Sequence, residues 1–166
     1  MITSDYDIHR QKWRIRCIWC LSLLVAMMWN VIPRSHVWHA VLPDGVFIVL
    51  IYWFLIDNTP RGLVSVFFIG LLTDLSLGSL LGLHAMIYSI MMFAVLRWRK
   101  VLSALPIWQQ GLVVALLVVL FNGLQWTVFA QVGLSMSAWS WLSPWIAGYC
   151  IWPLLVVGMQ AVMLRR

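Results

Sequence analysis

Residues Phe67–Ser89 read FFIGLLTDLSLGSLLGLHAMIYS, and one carboxylate, Asp74, stands in this otherwise uncharged apolar run. Gly70 precedes it by one step of four, and Gly78 and Gly82 follow at the next two. On a helix that spacing lays the four residues along one slowly drifting stripe. A charged side chain at bilayer mid-depth costs at least about 2.5–3.5 kcal/mol on insertion scales. Asp74 must therefore face protein, water or a partner, or carry a proton. Small residues on the same stripe let a second backbone come close. The stretch reads as the functional face of a membrane protein.

Composition supports a lipid setting. Of 166 residues, 63% are hydrophobic and 10% charged, against the roughly 25% charged of soluble domains. All five acids are Asp, and the eleven Lys and Arg lie in short clusters outside the apolar runs. The net charge of +6 thus reports membrane orientation and attraction to anionic lipid rather than nucleic acid. Cys17, Cys20 and Cys150 suggest no disulfide framework. Cys17 and Cys20 have CxxC spacing at the start of the first apolar run, and read as a buried structural thiol pair rather than a redox or zinc site.

Two segments organise the chain: a polar tail, residues 1–16, and a single transmembrane helical domain, residues 17–164. The tail ends HRQKWRIR, and the first span, Cys17–Ile32, lacks the small-x-small site of a cleaved signal peptide. Pro43-Asp44 opens a second run ending at Ile56. Proline suits a first helical turn, and an adjacent acid lies at the favourable end of the macrodipole, so Asp44 reads first as a helix-start residue. Between Arg61 and Arg97 lie 35 nearly all apolar residues, fewer than two full spans of about 20 residues each. This hairpin is compressed, with Gly78–Gly82 at its tip; short arms and a re-entrant hairpin both fit. Runs Ile107–Ala130 and Leu142–Leu164 follow, with a kink expected at Pro153.

Six spans place the N-terminus, the 57–61 turn, the 97–100 loop and the C-terminus on one side. Those segments carry ten of the eleven Lys and Arg. By the positive-inside rule both termini are expected in the cytoplasm. Trp13, Trp19, Trp98 and Trp108 fall near that interface, and Trp38, Trp139 and Trp141 near the other.

For Asp74, one reading is a structural anchor bonded to Ser or Thr hydroxyls or to backbone freed at glycine. The other is a partner contact or proton site. His36, His39 and His84 with Asp44 hold metal-ligand chemistry, but histidine near a membrane interface is common on other grounds, and no metal or cofactor is expected. Ser-His-Asp spacing, a phosphate-binding glycine loop and HExxH are all absent. Asp74 with His84 across the hairpin tip offers a carboxylate–imidazole pair without an evident nucleophile.

Pro43-Asp44 before a run ending near Tyr52-Trp53, then G-x3-D-x3-G-x3-G with the span after it, then Trp108-Gln109-Gln110 resemble MreD, the bacterial rod shape-determining membrane protein family. The resemblance covers nearly the whole chain. It implies an all-α polytopic protein of the bacterial inner membrane, without enzymatic activity, in the machinery of lateral cell-wall elongation. It also implies a bitopic partner, MreC, and a larger complex with MreB, RodA and a class B penicillin-binding transpeptidase. Gly70, Asp74, Gly78, Gly82 and His84, with Pro43 and Asp44, are then the expected partner-binding and structural motif. The family is similar in fold to the substrate-binding subunits of energy-coupling vitamin transporters, which makes a ligand-binding transport subunit the alternative. Asn122, Gln125 and Asp74 would line its pocket. The Ala-x3-Ala stripe of those subunits is missing, since only Ala26 stands in the first span.

Overall fold

The computed structural model describes residues 5–32, 42–56, 62–131, 133 and 144–164. Those residues form six α-helices: α1 Asp5–Val31, α2 Gly45–Ile56, α3 Leu63–Leu77, α4 Leu83–Ala104, α5 Ile107–Gln131 and α6 Pro144–Leu164. The expected all-helical architecture is observed. The first helix starts earlier than the tail-and-span division implied. No proline or glycine interrupts residues 5–31, so α1 runs through the basic segment without a break. Pro144 stands in the first position of α6, where its missing N–H costs nothing, and α6 continues through Pro153.

The shortest helix is the centre of the bundle. Every residue from Val46 to Leu55 is buried, because α2 is apolar on all sides and packs against α1, α4 and α6. A helix hydrophobic all round suits a core or lipid equally, and here the three helices packed around it make it core. Trp53 Nε1 donates to Ser22 Oγ of α1 (3.0 Å), and Arg99 Nε of α4 donates to the Leu55 carbonyl at the end of α2 (3.3 Å). A cation there also meets the negative end of the helix macrodipole.

The α3–α4 hairpin is the closest helix pairing. A Cβ added to Gly70 would lie 2.3 Å from the Ala85 Cα and 2.6 Å from its nitrogen. Only glycine permits this approach, as the sequence suggested, but the backbone that comes close is the chain's own. The four-residue stripe does not persist. Gly78 has φ +62° just past the end of α3, and Gly82 has φ +94° just before α4. Both are turn residues, so only Gly70 and Asp74 share a helix face. The tip reading of Gly78–Gly82 holds.

Among the described residues, three helical stretches are long and apolar enough to cross a membrane: Trp13–Val31, Ile107–Gln131 and Pro144–Met163. Their outward surfaces are greasy, as at Leu24, Met28, Leu116, Leu120 and Leu154. Trp13, Trp98 and Trp108 are exposed, which suits an interfacial belt; Trp38, Trp139 and Trp141 lie outside the described residues. Cys17 and Cys20 are exposed rather than a buried pair. The inward face of α1 presents Leu23 and Ala26 to the core, which turns the two thiols outward.

Candidate functional site

Two helix N-termini meet at one level of the bundle, and each is capped by a carboxylate. Asp44 caps α2: its Oδ1 accepts from the Phe47 N–H at 3.0 Å, and Asn30 of α1 accepts the Gly45 N–H at 3.0 Å. Asn30 Nδ2 also donates to Asp44 Oδ1 (2.8 Å), which ties the end of α1 to the start of α2. The helix-start reading of Asp44, with Pro43 buried just before it, matches this geometry.

Asp74 caps a helix that is not its own. Its Oδ2 accepts from the Gly82 N–H (2.9 Å) and its Oδ1 from the His84 N–H (3.1 Å), both at the start of α4. Meanwhile its backbone carbonyl accepts from Gly78 and Ser79 N–H at the end of α3. That is a Schellman-type ending with glycine in the left-handed position. The side chain closes one helix end and the main chain the other, so a single residue pins the whole turn. The carboxylate also accepts from Ser79 Oγ at 2.8 Å and lies 2.7 Å from His84 Nδ1. Asp74 is 1% exposed and His84 5%.

His84 joins the two caps. With Nδ1–H donated to Asp74, its Nε2 accepts from the Gln125 amide of α5 at 2.8 Å and stands 4.0 Å from Asp44 Oδ2. Tyr88, one turn further along α4, donates its hydroxyl to Asp44 Oδ2 at 2.6 Å. Beside these groups Phe47, Tyr88 and Phe121 pack ring on ring, with centroids 4.6–6.0 Å apart. Five helices therefore converge through Asn30, Asp44, Asp74, His84, Tyr88 and Gln125. Charged hydrogen bonds in a low-dielectric setting are strong, and an unpaired member is costly.

Of the residues singled out from sequence, Asp44, Asp74 and His84 are brought together, with Gly82 and Ser79 in the same turn. Gly70 sits on α3 at the crossing with Ala85 instead. His36 and His39 lie outside the described residues, and among the described ones no three metal-ligating side chains gather. Ser79, His84 and Asp74 are adjacent without forming a hydrolytic triad. The Ser79 hydroxyl donates to the carboxylate and lies 3.4 Å from the same ring nitrogen, Nδ1. A triad needs serine at the opposite nitrogen, and Gln125 fills that place. Asp74 and Gln125, two candidate pocket groups, meet on His84 rather than across a cavity; Asn122 donates to Val118 of its own helix. Sequence reasoning missed Tyr88 and the role of Asn30; it expected a serine or threonine hydroxyl and glycine-freed backbone on Asp74, which Ser79 and Gly82 supply, without naming Ser79. The available signal was depth: Asn30 and His84 lie at nearly equal helical distances from Arg16 and Arg97.

A small helical membrane protein whose buried ionisable groups serve its own helix ends is the class this fold and site define. Comparison with known proteins gives the family. The family model described as rod shape-determining protein MreD matches residues 11–162. The rod shape-determining protein MreD of Haemophilus influenzae is 27% identical over 139 residues, covering 84% of this chain and 86% of that protein. The chain belongs to the MreD family of rod shape-determining proteins. No solved structure matches it.

Proposed function

We propose that this chain is a non-enzymatic, six-span subunit of the bacterial inner membrane that holds a single-span partner, MreC, within the rod-shape complex. MreB, RodA and a class B penicillin-binding transpeptidase are the further members in this reading. Both termini face the cytoplasm, in keeping with the ten cations on that side. The observation that carries the reading is that Asp44 and Asp74 each cap a helix start and are tied to α4, Asp44 by the Tyr88 hydroxyl and Asp74 by His84, which makes a rigid platform of the α3–α4 hairpin.

Gly70 and Asp74 are consumed inside that platform, so the partner face is assigned to its outer surface. There α3 exposes Phe67, Phe68, Leu72 and Leu75, and α4 exposes Ile90 and Phe93. Lipid supplies little drive for helix association, and shape fit on a rigid surface supplies it instead. Gly70, Asp74, Gly78, Gly82, His84, Pro43 and Asp44 then act as the structural motif that sets this surface.

Photo-crosslinking in cells tests the assignment. A benzophenone side chain at Phe68, Leu72 or Ile90 should capture MreC, while one at Leu112 or Leu116 on α5 should not. Capture from α5 alone would place the interface on the other side of the bundle and overturn the reading.

A further inference from the structure

The bundle is made of two groups of helices. α1–α4 pack on one another and α5 packs on α6, while the groups meet mainly along α4 and α5, with a lighter contact of α6 on α2. The join is less complete than either group. Toward the C-terminal ends of α2 and α4 it holds a void of about 10 Å³ between Ile51, Leu55, Leu102, Val113 and Leu117. Trp152 of α6, buried and packed on Tyr52 of α2, has an indole N–H without an acceptor among the described residues. The Tyr52 hydroxyl crosses the join to the Met163 sulfur at 4.0 Å, and a thioether is a weak acceptor.

At the opposite end one short bond ties the groups together. Gln125 of α5 lies 2.8 Å from His84 Nε2, beside Phe121, which stacks on Phe47 and Tyr88. With Nδ1–H donated to Asp74, that bond needs the lone pair on Nε2. A second ring proton would set N–H against NH₂ and abolish it. The groups facing His84 favour such a proton. Asp74 of α3 lies 2.7 Å from Nδ1, Asp44 of α2 has Oδ2 4.0 Å from Nε2, and Tyr88 on α4 donates its hydroxyl to Asp44. α5 and α1 contribute only the neutral amides of Gln125 and Asn30. The described cations stand far off: Arg16 lies fourteen residues before Asn30 and Arg97 thirteen after His84, each about 20 Å along its helix.

Histidine is the side chain whose charge changes near neutral pH, and a charged N–H bonds a carboxylate more strongly than an amide. We propose that His84 is a proton-operated latch between the two groups of helices. On taking up a proton at Nε2 it gives up Gln125, turns the new N–H to Asp44, and frees the α5–α6 pair to swing on the α1–α4 group. The proton comes from water on the side of the hairpin tip, where Asp44 and Ser79 are only partly buried, and returns there when the latch closes. The void and the orphaned Trp152 N–H show that the join has no perfect packing to lose by moving. The latch stands apart from any assignment of partner.

Spin-label distance measurement on the full chain in phosphatidylcholine–phosphatidylglycerol vesicles tests it. One label sits at Met86→Cys on α4 and the other at Leu124→Cys on α5, in a background of C17A, C20A and C150A. Moving from about pH 8 to about pH 5, across the titration of histidine, should shift the distance reversibly to longer values. A pair within the hairpin, Leu75→Cys with Met86→Cys, should not change. His84→Gln should hold one distance at both pH values. Gln125→Leu, an independent variant, should show the longer distance already at pH 8, and the short distance there would overturn the proposal. An unchanged distance in the parent protein would mean that the Gln125 amide turns over in place, and would overturn it equally. So would a shift that persists in His84→Gln.

Discussion

Asp74→Leu and Asp74→Asn remove different things. Leucine leaves Gly82 N–H, His84 N–H, the Ser79 hydroxyl and His84 Nδ1 without their acceptor, and each buried orphan costs about 1–3 kcal/mol. Asparagine keeps one acceptor oxygen but turns an NH₂ toward one of the donor groups. The expected order of thermal stability in detergent is wild type, then Asp74→Asn, then Asp74→Leu; equal losses would mean that charge alone matters. Gly70→Ala drives a methyl into the Ala85 backbone, which has no side-chain rotamer to yield. It should destabilise by roughly 1–3 kcal/mol or more, the usual penalty for overpacking. Gly158 has open space at its Cβ position, so Gly158→Ala should be neutral or slightly stabilising in the same assay. Sequence inspection identified Gly70 and Asp74 but not whose backbone and whose donors they serve. A glycine step of four announces a close approach; it does not say whether the approaching helix belongs to the same chain.

At the level of elements, the hairpin turn and the α2 start are the two joints of the bundle. Gly78 and Gly82 hold positive φ, a region that L-residues enter at a cost of roughly 1–2 kcal/mol. Gly78→Ala should therefore loosen the turn, seen as faster amide exchange over residues 76–84, with α5 and α6 unchanged. Tyr88→Phe removes one hydrogen bond to Asp44 and keeps the ring that packs on Phe47 and Phe121. A loss of about 1.5–3 kcal/mol in thermal unfolding in detergent is expected, as for a hydrogen bond to a charged group; no loss would mean that the bond is not formed. Helix existence and order were legible because each apolar run is bounded by charge, proline or glycine. The centrality of α2 was not: its sequence is apolar on every face, and nothing local distinguishes a helix sheathed by protein from one bathed in lipid. The Asp74–His84 pairing was legible only as a ten-residue separation across a turn, since contact depends on where Gly78 ends the helix.

For the whole molecule, one claim orders the rest: Asp44 and Asp74 are held within this chain by the helix starts they cap, by Asn30, Ser79 and Tyr88, and by His84, which bonds Asp74 and Gln125. If the proposed outer hairpin face takes MreC, its capture should survive Asp44→Asn to the extent that folded protein survives. A double-mutant cycle on Asp74 and His84, read by thermal unfolding of the full chain in detergent, tests that claim most directly. Asp74→Asn and His84→Gln made singly and together should show a coupling of about 1 kcal/mol or more, toward the upper end measured for interhelical hydrogen bonds in membranes. Additive losses, with no coupling, would contradict it.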